Sequence, residues 1–396
     1  MKRIVFLLVC IACFTAALFA ADFGGIVSGR FEVEGNDETR VIGAVGFVPW
    51  FSLPIGEADF YLSAGFRAIF EDETLLVPEL NRLEFTFRPL PSLAIRAGRI
   101  PWQDPSRFTA RGLFDGADVV LDLGRTRLGM AALYTGFLYK ETAAITISPA
   151  DTKNYTASFD WADFANTYFA PPRVLAALYG EFPGFPSRRG HLYAGLMAQF
   201  DLSDADERFH TQYLLLRHSL AYRAFDLAAA AAIGLENTQA DGVQAAYAFT
   251  LEGGVRLSAT IRDRLSLGVR WASGDGPQTA AFFPIIWEAQ GLVLKPGFSG
   301  IMRISAQYEV RLLPPLSAIA GCRYYLRTDS TSFSDSYLED ESYFLGAEIV
   351  GSLLWVPFSD CAFSLNTGVF LPQTGAAFAE QTPVRFTLTL ETIISF

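Results

Sequence analysis

The chain has 396 residues, 51% of them hydrophobic, and a positive mean hydropathy, too apolar for an ordinary soluble protein. Its 31 Lys and Arg against 42 Asp and Glu give a net charge of −11, which excludes a general nucleic-acid footprint. Past residue 21 no apolar run approaches the roughly 20 residues of a membrane-crossing helix. The longest, Leu227–Leu235 and Ile349–Phe358, have the length of a membrane-crossing strand.

Residues 1–20 read as a secretory signal peptide. Lys2 and Arg3 charge its start, Ile4 to Phe19 form its apolar core, and cleavage falls after Ala20 or Ala21. A membrane anchor is the other reading, but the core is short for a span. No cysteine stands at the cleavage site, so lipoprotein processing is not expected. Loss of Lys2 and Arg3 takes the net charge to −13, and Cys10 and Cys13 leave with the signal.

Residues 21–396 read as one domain, an all-β, up-and-down antiparallel barrel in a bacterial outer membrane. In lipid every backbone N–H and C=O must be paired, so the alternative to helices is a closed barrel. The strand signature is alternation of period 2. In Arg82–Arg88, Leu83, Phe85 and Phe87 oppose Arg82, Glu84, Thr86 and Arg88; the pattern returns in Tyr247–Ser258, Leu265–Ala272 and Ile301–Leu312. Short links such as Arg88–Ser92 and Tyr222–Phe225 alternate with longer polar ones, among them Gly35–Thr39, Glu71–Glu79, Pro101–Leu113, Tyr139–Ala170 and Gly274–Phe298. This count gives about 18 strands, even in number, with both termini on the periplasmic side; 16 also fits. Trp50, Phe51, Trp355 and Phe358 flank short turns, where a girdle of interfacial aromatics belongs.

A barrel of this width holds a water channel, so passage of polar solutes is the expected function. The richest segment runs from Arg82 to Arg111, with Arg82, Arg88, Arg96, Arg99, Arg107 and Arg111 against Glu84 and Asp104. An arginine at the lipid midplane costs roughly 2–4 kcal/mol, so Arg82, Arg88 and Arg96, on the polar phase, are expected to face the lumen. Arg99 is out of phase with Arg96, which suggests a bulge or strand end at Gly98. The third outer loop, near 101–113, is expected to fold inward, anchored by Trp102 and Phe108. Arginine rings favour anions, and guanidinium binds carboxylate or phosphate with two hydrogen bonds. Asp104 and Asp115 are expected to orient Arg96, Arg107 and Arg111, which should then favour anions. The competing reading makes these arginines structural partners of Glu84, Asp104, Asp115, Asp118 and Asp122.

Arg96-Ala-Gly-Arg99, then Arg107, then Arg111-Gly-Leu-Phe-Asp-Gly-Ala117 resembles the pattern of alginate-export-type barrels and related substrate-selective porins. The likeness covers about Leu83 to Leu123. It implies an 18-strand barrel with an arginine-lined conduit for acidic saccharides or other anions, with Arg96, Arg99, Arg107, Arg111 and Asp115 lining or bracing the constriction. In general porins, too, the third loop narrows the barrel.

Further along, His191, His210 and His218 are the only histidines, and no Gly-x-Ser-x-Gly elbow accompanies them, so no enzyme is expected. Neither a metal site nor a cofactor is expected. Ala228–Ala232 are small enough for close contact with a second protomer, hence a homo-oligomer, or with an inward loop; a plain strand with small residues is the simpler reading. Arg303 and Arg311, on the polar phase of Ile301–Leu312, join the expected pore lining. Cys322 and Cys361 fall on the apolar phases of the fifteenth and seventeenth strands, roughly 10 Å apart. A disulfide needs Cα atoms closer than about 7 Å, so two free thiols are expected. The acidic run Asp329, Asp335, Glu339, Asp340 and Glu341 offers hard oxygens for Ca²⁺ or is simply a solvated loop. The last strand, ending in Phe396, resembles the signal read by the outer-membrane assembly machinery. Expected partners are therefore the bilayer and outer-membrane lipids, that machinery, and small anionic solutes. The alternative function is a non-conducting surface barrel, an adhesin or structural protein acting through Tyr139–Ala170 and Gly274–Phe298.

Overall fold

The computed structural model describes residues 21–36, 38–148, 151–203, 208–238, 242–258, 260–276, 279–330, 333, 335–338 and 342–396. The proposed signal, residues 1–20, lies outside them, as do Glu339, Asp340 and Glu341. Eighteen strands run in chain order: β1 (Asp22–Gly35), β2 (Thr39–Ile55), β3 (Ala58–Phe70), β4 (Thr74–Leu90), β5 (Leu93–Gln103), β6 (Arg111–Asp122), β7 (Arg127–Tyr134), β8 (Arg173–Pro183), β9 (Gly190–Asp201), β10 (His210–Tyr222), β11 (Phe225–Thr238), β12 (Gly242–Ser258), β13 (Asp263–Ala272), β14 (Ile301–Leu313), β15 (Leu316–Arg327), β16 (Phe344–Phe358), β17 (Cys361–Pro372) and β18 (Arg385–Ser395). Each pairs antiparallel with its chain neighbours, and β1 pairs with β18, from Ile26 opposite Ser395 to Gly35 opposite Phe386. The Phe396 amide and carbonyl also exchange hydrogen bonds of 3.0 and 2.9 Å with Gly25. The sheet therefore has no free edge.

The alternation of side chains separates two surfaces. Leu83, Phe85 and Phe87 on β4 are exposed outward while Glu84 and Thr86 are buried inward. The same phase puts Met130, Leu178, Leu196, Leu267 and Ile349 on an exposed apolar belt. Trp355, Phe358 and Phe396 are exposed at the end that holds the short turns. Some links are shorter than their composition suggests. β4 starts at Thr74, so most of Glu71–Glu79 is strand, and 36–38 is a three-residue link. Pro78, which donates no hydrogen bond, still lies within β4 opposite Phe66.

The β5–β6 hairpin carries the main departure from a plain wall. Strand β5 does not end at Gly98, and its pairing with β6 runs without a slip from Leu93–Leu121 to Gln103–Arg111. Instead the hairpin bends into the barrel. Gly98 has φ +110°, and a Cβ there would lie 2.0 Å from the Leu83 carbonyl oxygen; opposite it, a Cβ on Gly116 would lie 2.1 Å from that of Ala132. Five extended residues span roughly 17 Å. Yet the Arg96 Nη1 lies 3.4 Å from the Pro101 carbonyl oxygen, so the strand folds over its own side chain. The tip, 104–110, reaches the inner wall: Pro105 Cγ would be 3.0 Å from a Cβ on Gly195, in mid-β9. Valine in place of Gly98 cannot take this backbone without strain of order 1–3 kcal/mol. Gly98→Val should straighten the hairpin and raise single-channel conductance while the barrel still folds; an unchanged conductance would show that the bend does not depend on this glycine.

Cys322 lies opposite Ala306 and Ile349, and Cys361 opposite Ile394, with β16 between their strands; both are unpaired. Mass spectrometry of non-reduced, alkylated protein should find two modified thiols, and a Cys322–Cys361 bridge would contradict this register.

Candidate functional site

Three links meet inside the barrel: 104–110, 135–172 and 273–300. Asp104, 1% exposed, organises the first. One of its carboxylate oxygens accepts from the Ser106 and Arg107 amides and from the Ser106 hydroxyl, the other from the amides of Thr109 and Ala110. Burial holds this carboxyl above its ordinary range against the opposing pull of these donors. Trp102 packs edge-on against Phe114 and Tyr179, and Phe108 against Phe282 and Phe298. These aromatics seat the bent hairpin on β8 and on the 273–300 link.

The 273–300 link crosses the lumen. The Ile285 and Ile286 amides both donate to the Thr109 carbonyl, and the Phe283 amide donates to Glu236 on β11. Farther along, the Leu292, Val293 and Leu294 amides converge on the buried Glu348 of β16 at 2.9–3.1 Å. Arg303 and Tyr325 hold the Gln290 carbonyl, and Lys295 reaches Glu32 and Glu34 on β1. The 135–172 link joins through the Thr146 amide on Ile285 O and the Trp287 amide on Ala144 O. The two links that composition marks as surface features are thus partly interior. The alanine run has a matching role: Ala230 and Ala232 face inward, with Ala246, Ala248 and Ala272, in the apolar cluster that takes Phe282 and Ile285.

The expected site residues separate into two groups. Arg82 pairs with Glu84 and lies 4.6 Å over the Tyr61 ring, and Arg88 pairs with Asp59. Arg96 pairs with Asp118, which also accepts from the Tyr179 hydroxyl. Arg99 pairs through two nitrogens with Asp115 and donates to the Leu80 and Phe137 carbonyls, so it clamps the bend. Arg311 binds the Pro314 carbonyl at the short-turn end. Arg107 and Arg111 differ: both are exposed, and among the described residues no hydrogen bond or ion pair engages either guanidinium. Asp104 and Asp115 do not orient them, because their oxygens are taken by loop amides and by Arg99.

Arg107 and Arg270 lie near Arg217 of β10, and Arg270 and Arg323 near Arg303; Arg270 and Arg303 are cross-strand partners, while Arg270 also pairs with Glu288 and Arg323 with Glu348. Arg217, Arg270 and Arg323 went unnoticed as site residues in the sequence. Their only local signal is the polar phase of their strands. A cavity of about 670 Å³ beside the hairpin is lined by Arg96, Arg111 and Arg127 with Glu79, Glu181 and Tyr179. A second, about 720 Å³, lies against β18–β2 with Glu32, Glu34, Arg40, Lys295 and Arg385. In the acidic outer link, Asp335 pairs with Arg385 at 2.6 Å, which leaves it a poor cation ligand.

No protein-family model and no curated protein matches the chain. Solved structures do. The fold is similar to that of Pseudomonas aeruginosa OccK2 (OpdF) in complex with glucuronate, at 13% identity over 95% of this chain and 98% of that one, with a TM-score of 0.63. It is similar to OpdL of the same organism at 15% identity, over 95% and 98%, with a TM-score of 0.61. The outer membrane protein OpdK of Pseudomonas aeruginosa matches at 13% identity, over 95% and 99%, also with a TM-score of 0.61. At such identities the likeness is one of fold, and the fold is the closed 18-strand barrel of these outer-membrane proteins.

Proposed function

We propose that the chain is a channel of the bacterial outer membrane that passes polar, anionic solutes such as acidic saccharides. Its short-turn end lies in the periplasm. The observation that carries this reading is the pair Arg107 and Arg111, guanidinium groups unpaired among the described residues on a hairpin bent into the lumen: Arg107 near Arg217 of β10, and Arg111 in the cavity beside the hairpin with Arg96 and Arg127. A charge left without a protein partner in a narrow passage is available to a solute. Guanidinium suits carboxylates because it offers two parallel N–H donors. The belt of exposed apolar side chains supports a lipid setting, and the neighbour solved with glucuronate supports an acidic sugar as substrate class.

The net charge of the whole chain opposes this reading, and distance resolves the conflict. At about 0.15 M salt the screening length is near 8 Å, so carboxylates on outer links count for little inside. Low-dielectric walls focus the field of the nearest charges. Many acids close to the lumen are already neutralised by ion pairs, as Asp118 is by Arg96 and Glu348 by Arg323. Replacing Arg107 and Arg111 together by Glu should shift the reversal potential in a salt gradient toward cations, with heat-modifiable migration on gels unchanged. If the native channel already prefers cations, or the double variant keeps the native reversal potential, these arginines do not set selectivity.

A further inference from the structure

The eight short turns are not alike in charge. Four consecutive ones, around one half of the rim, carry arginines: Arg125 in 123–126, Arg188 and Arg189 in 184–189, Arg223 in 223–224, and Arg262 in 259–262. All five are exposed, and no acidic residue falls within these turns. The other four turns hold no basic residue, and two of them carry Glu57 and Asp360. In a chain with an acidic surplus, this is a local reversal of sign confined to one arc.

Of the carboxylates nearest the arc, Glu181 lines the cavity beside the hairpin, and the others are occupied. Asp122 accepts from Arg127 and from the Gly124 amide, and Asp226 from Arg264. Asp263 accepts from the Tyr308 hydroxyl and the Ser258 amide. Arg189 and Arg223 sit 4.3 and 5.3 Å over the ring of Tyr222, which places both beside an outward-facing aromatic. Leu123, Phe185, Phe225 and Ile261, on the same turns or strand ends, are exposed apolar side chains. Positive groups at the tip and apolar groups behind match the polarity profile of a lipid leaflet from headgroup to acyl chain.

The backbone gives a second, independent sign. Arg223 and Arg262 adopt φ +54° and +48°, a region that suits Gly or Asn and costs other residues roughly 1–2 kcal/mol. On the same rim Gly56, Gly124 and Gly184 occupy the corresponding region. Arginine thus stands where the backbone alone favours glycine. Arg107, the candidate selectivity residue, is strained the same way at φ +71°.

We propose that this arc is a binding edge for anionic phospholipid headgroups of the leaflet around the short-turn end, with the arginines pairing to lipid phosphates. A guanidinium fork fits a phosphodiester, and several at one rim favour anionic over zwitterionic lipid by their summed field. The proposal concerns the outside of the barrel and does not depend on what passes through it.

The test uses full-length barrel in phosphatidylcholine vesicles with trace spin-labelled phosphatidylglycerol or phosphatidylcholine. Electron spin resonance gives the fraction of each label held motionally restricted at the protein surface. The native barrel should select phosphatidylglycerol over phosphatidylcholine by at least about threefold, less so in high salt. Arg223→Gly with Arg262→Gly relieves backbone strain, so folding should persist while selectivity falls. Adding Arg125→Gln, Arg188→Gln and Arg189→Gln should bring the ratio close to one. Glu57→Gln with Asp360→Asn, on the opposite half of the rim, should leave it at the native value. Equal association of the two lipids with the native barrel, or full selectivity in the five-residue variant, overturns the proposal.

Discussion

Everything in this molecule follows from the need to pair every backbone polar group across a lipid-exposed wall. The β1–β18 ladder meets that need by closing the sheet. Closure sends the apolar phase of every strand outward and the polar phase inward. It also leaves a lumen wide enough that packing cannot fill it from the wall alone. Whatever the barrel discriminates must be discriminated by side chains and links projecting into that space.

The links are held there largely by carboxylates. Asp104 gathers four backbone amides, Glu348 three more, and Glu236 another. Such acceptors satisfy backbone donors that would otherwise be buried without partners, at a cost of roughly 1–3 kcal/mol each. The acidic surplus thus has a structural use. Acids fix these links, several arginines form ion pairs beside them, and among the described residues Arg107 and Arg111 remain unpaired on the hairpin.

The wall was legible in the sequence because its determinants are local. Alternation in Arg82–Arg88 and the rhythm of links led to 18 strands, and phase alone placed Arg96 inward and Cys322 outward. The interior was not legible in the same way. Gly98 reads locally as a bulge or an end, and only the Leu83 carbonyl on the neighbouring strand, which a Cβ would meet, shows why glycine stands at the bend. Asp104 sits near arginines in sequence, yet its oxygens face the amides of its own loop. Arg217 and Arg270 lie more than a hundred residues from Arg107, and nothing short-range brings them together. The link 273–300 reads by its length as an outer loop despite Phe282, Phe283, Ile285, Ile286 and Trp287, and its inward course depends on Glu236, Glu348 and the space left by Ala230 and Ala232.

The central claim is that a positive constriction inside an acidic barrel favours anions. Liposome swelling with the native protein tests it most directly, comparing a hexose with the hexuronate that differs from it by one carboxylate. Solutes of nearly equal size isolate the effect of charge. The account predicts faster entry of the hexuronate, with the advantage shrinking as salt rises. Equal rates, or faster entry of the neutral sugar, would contradict it.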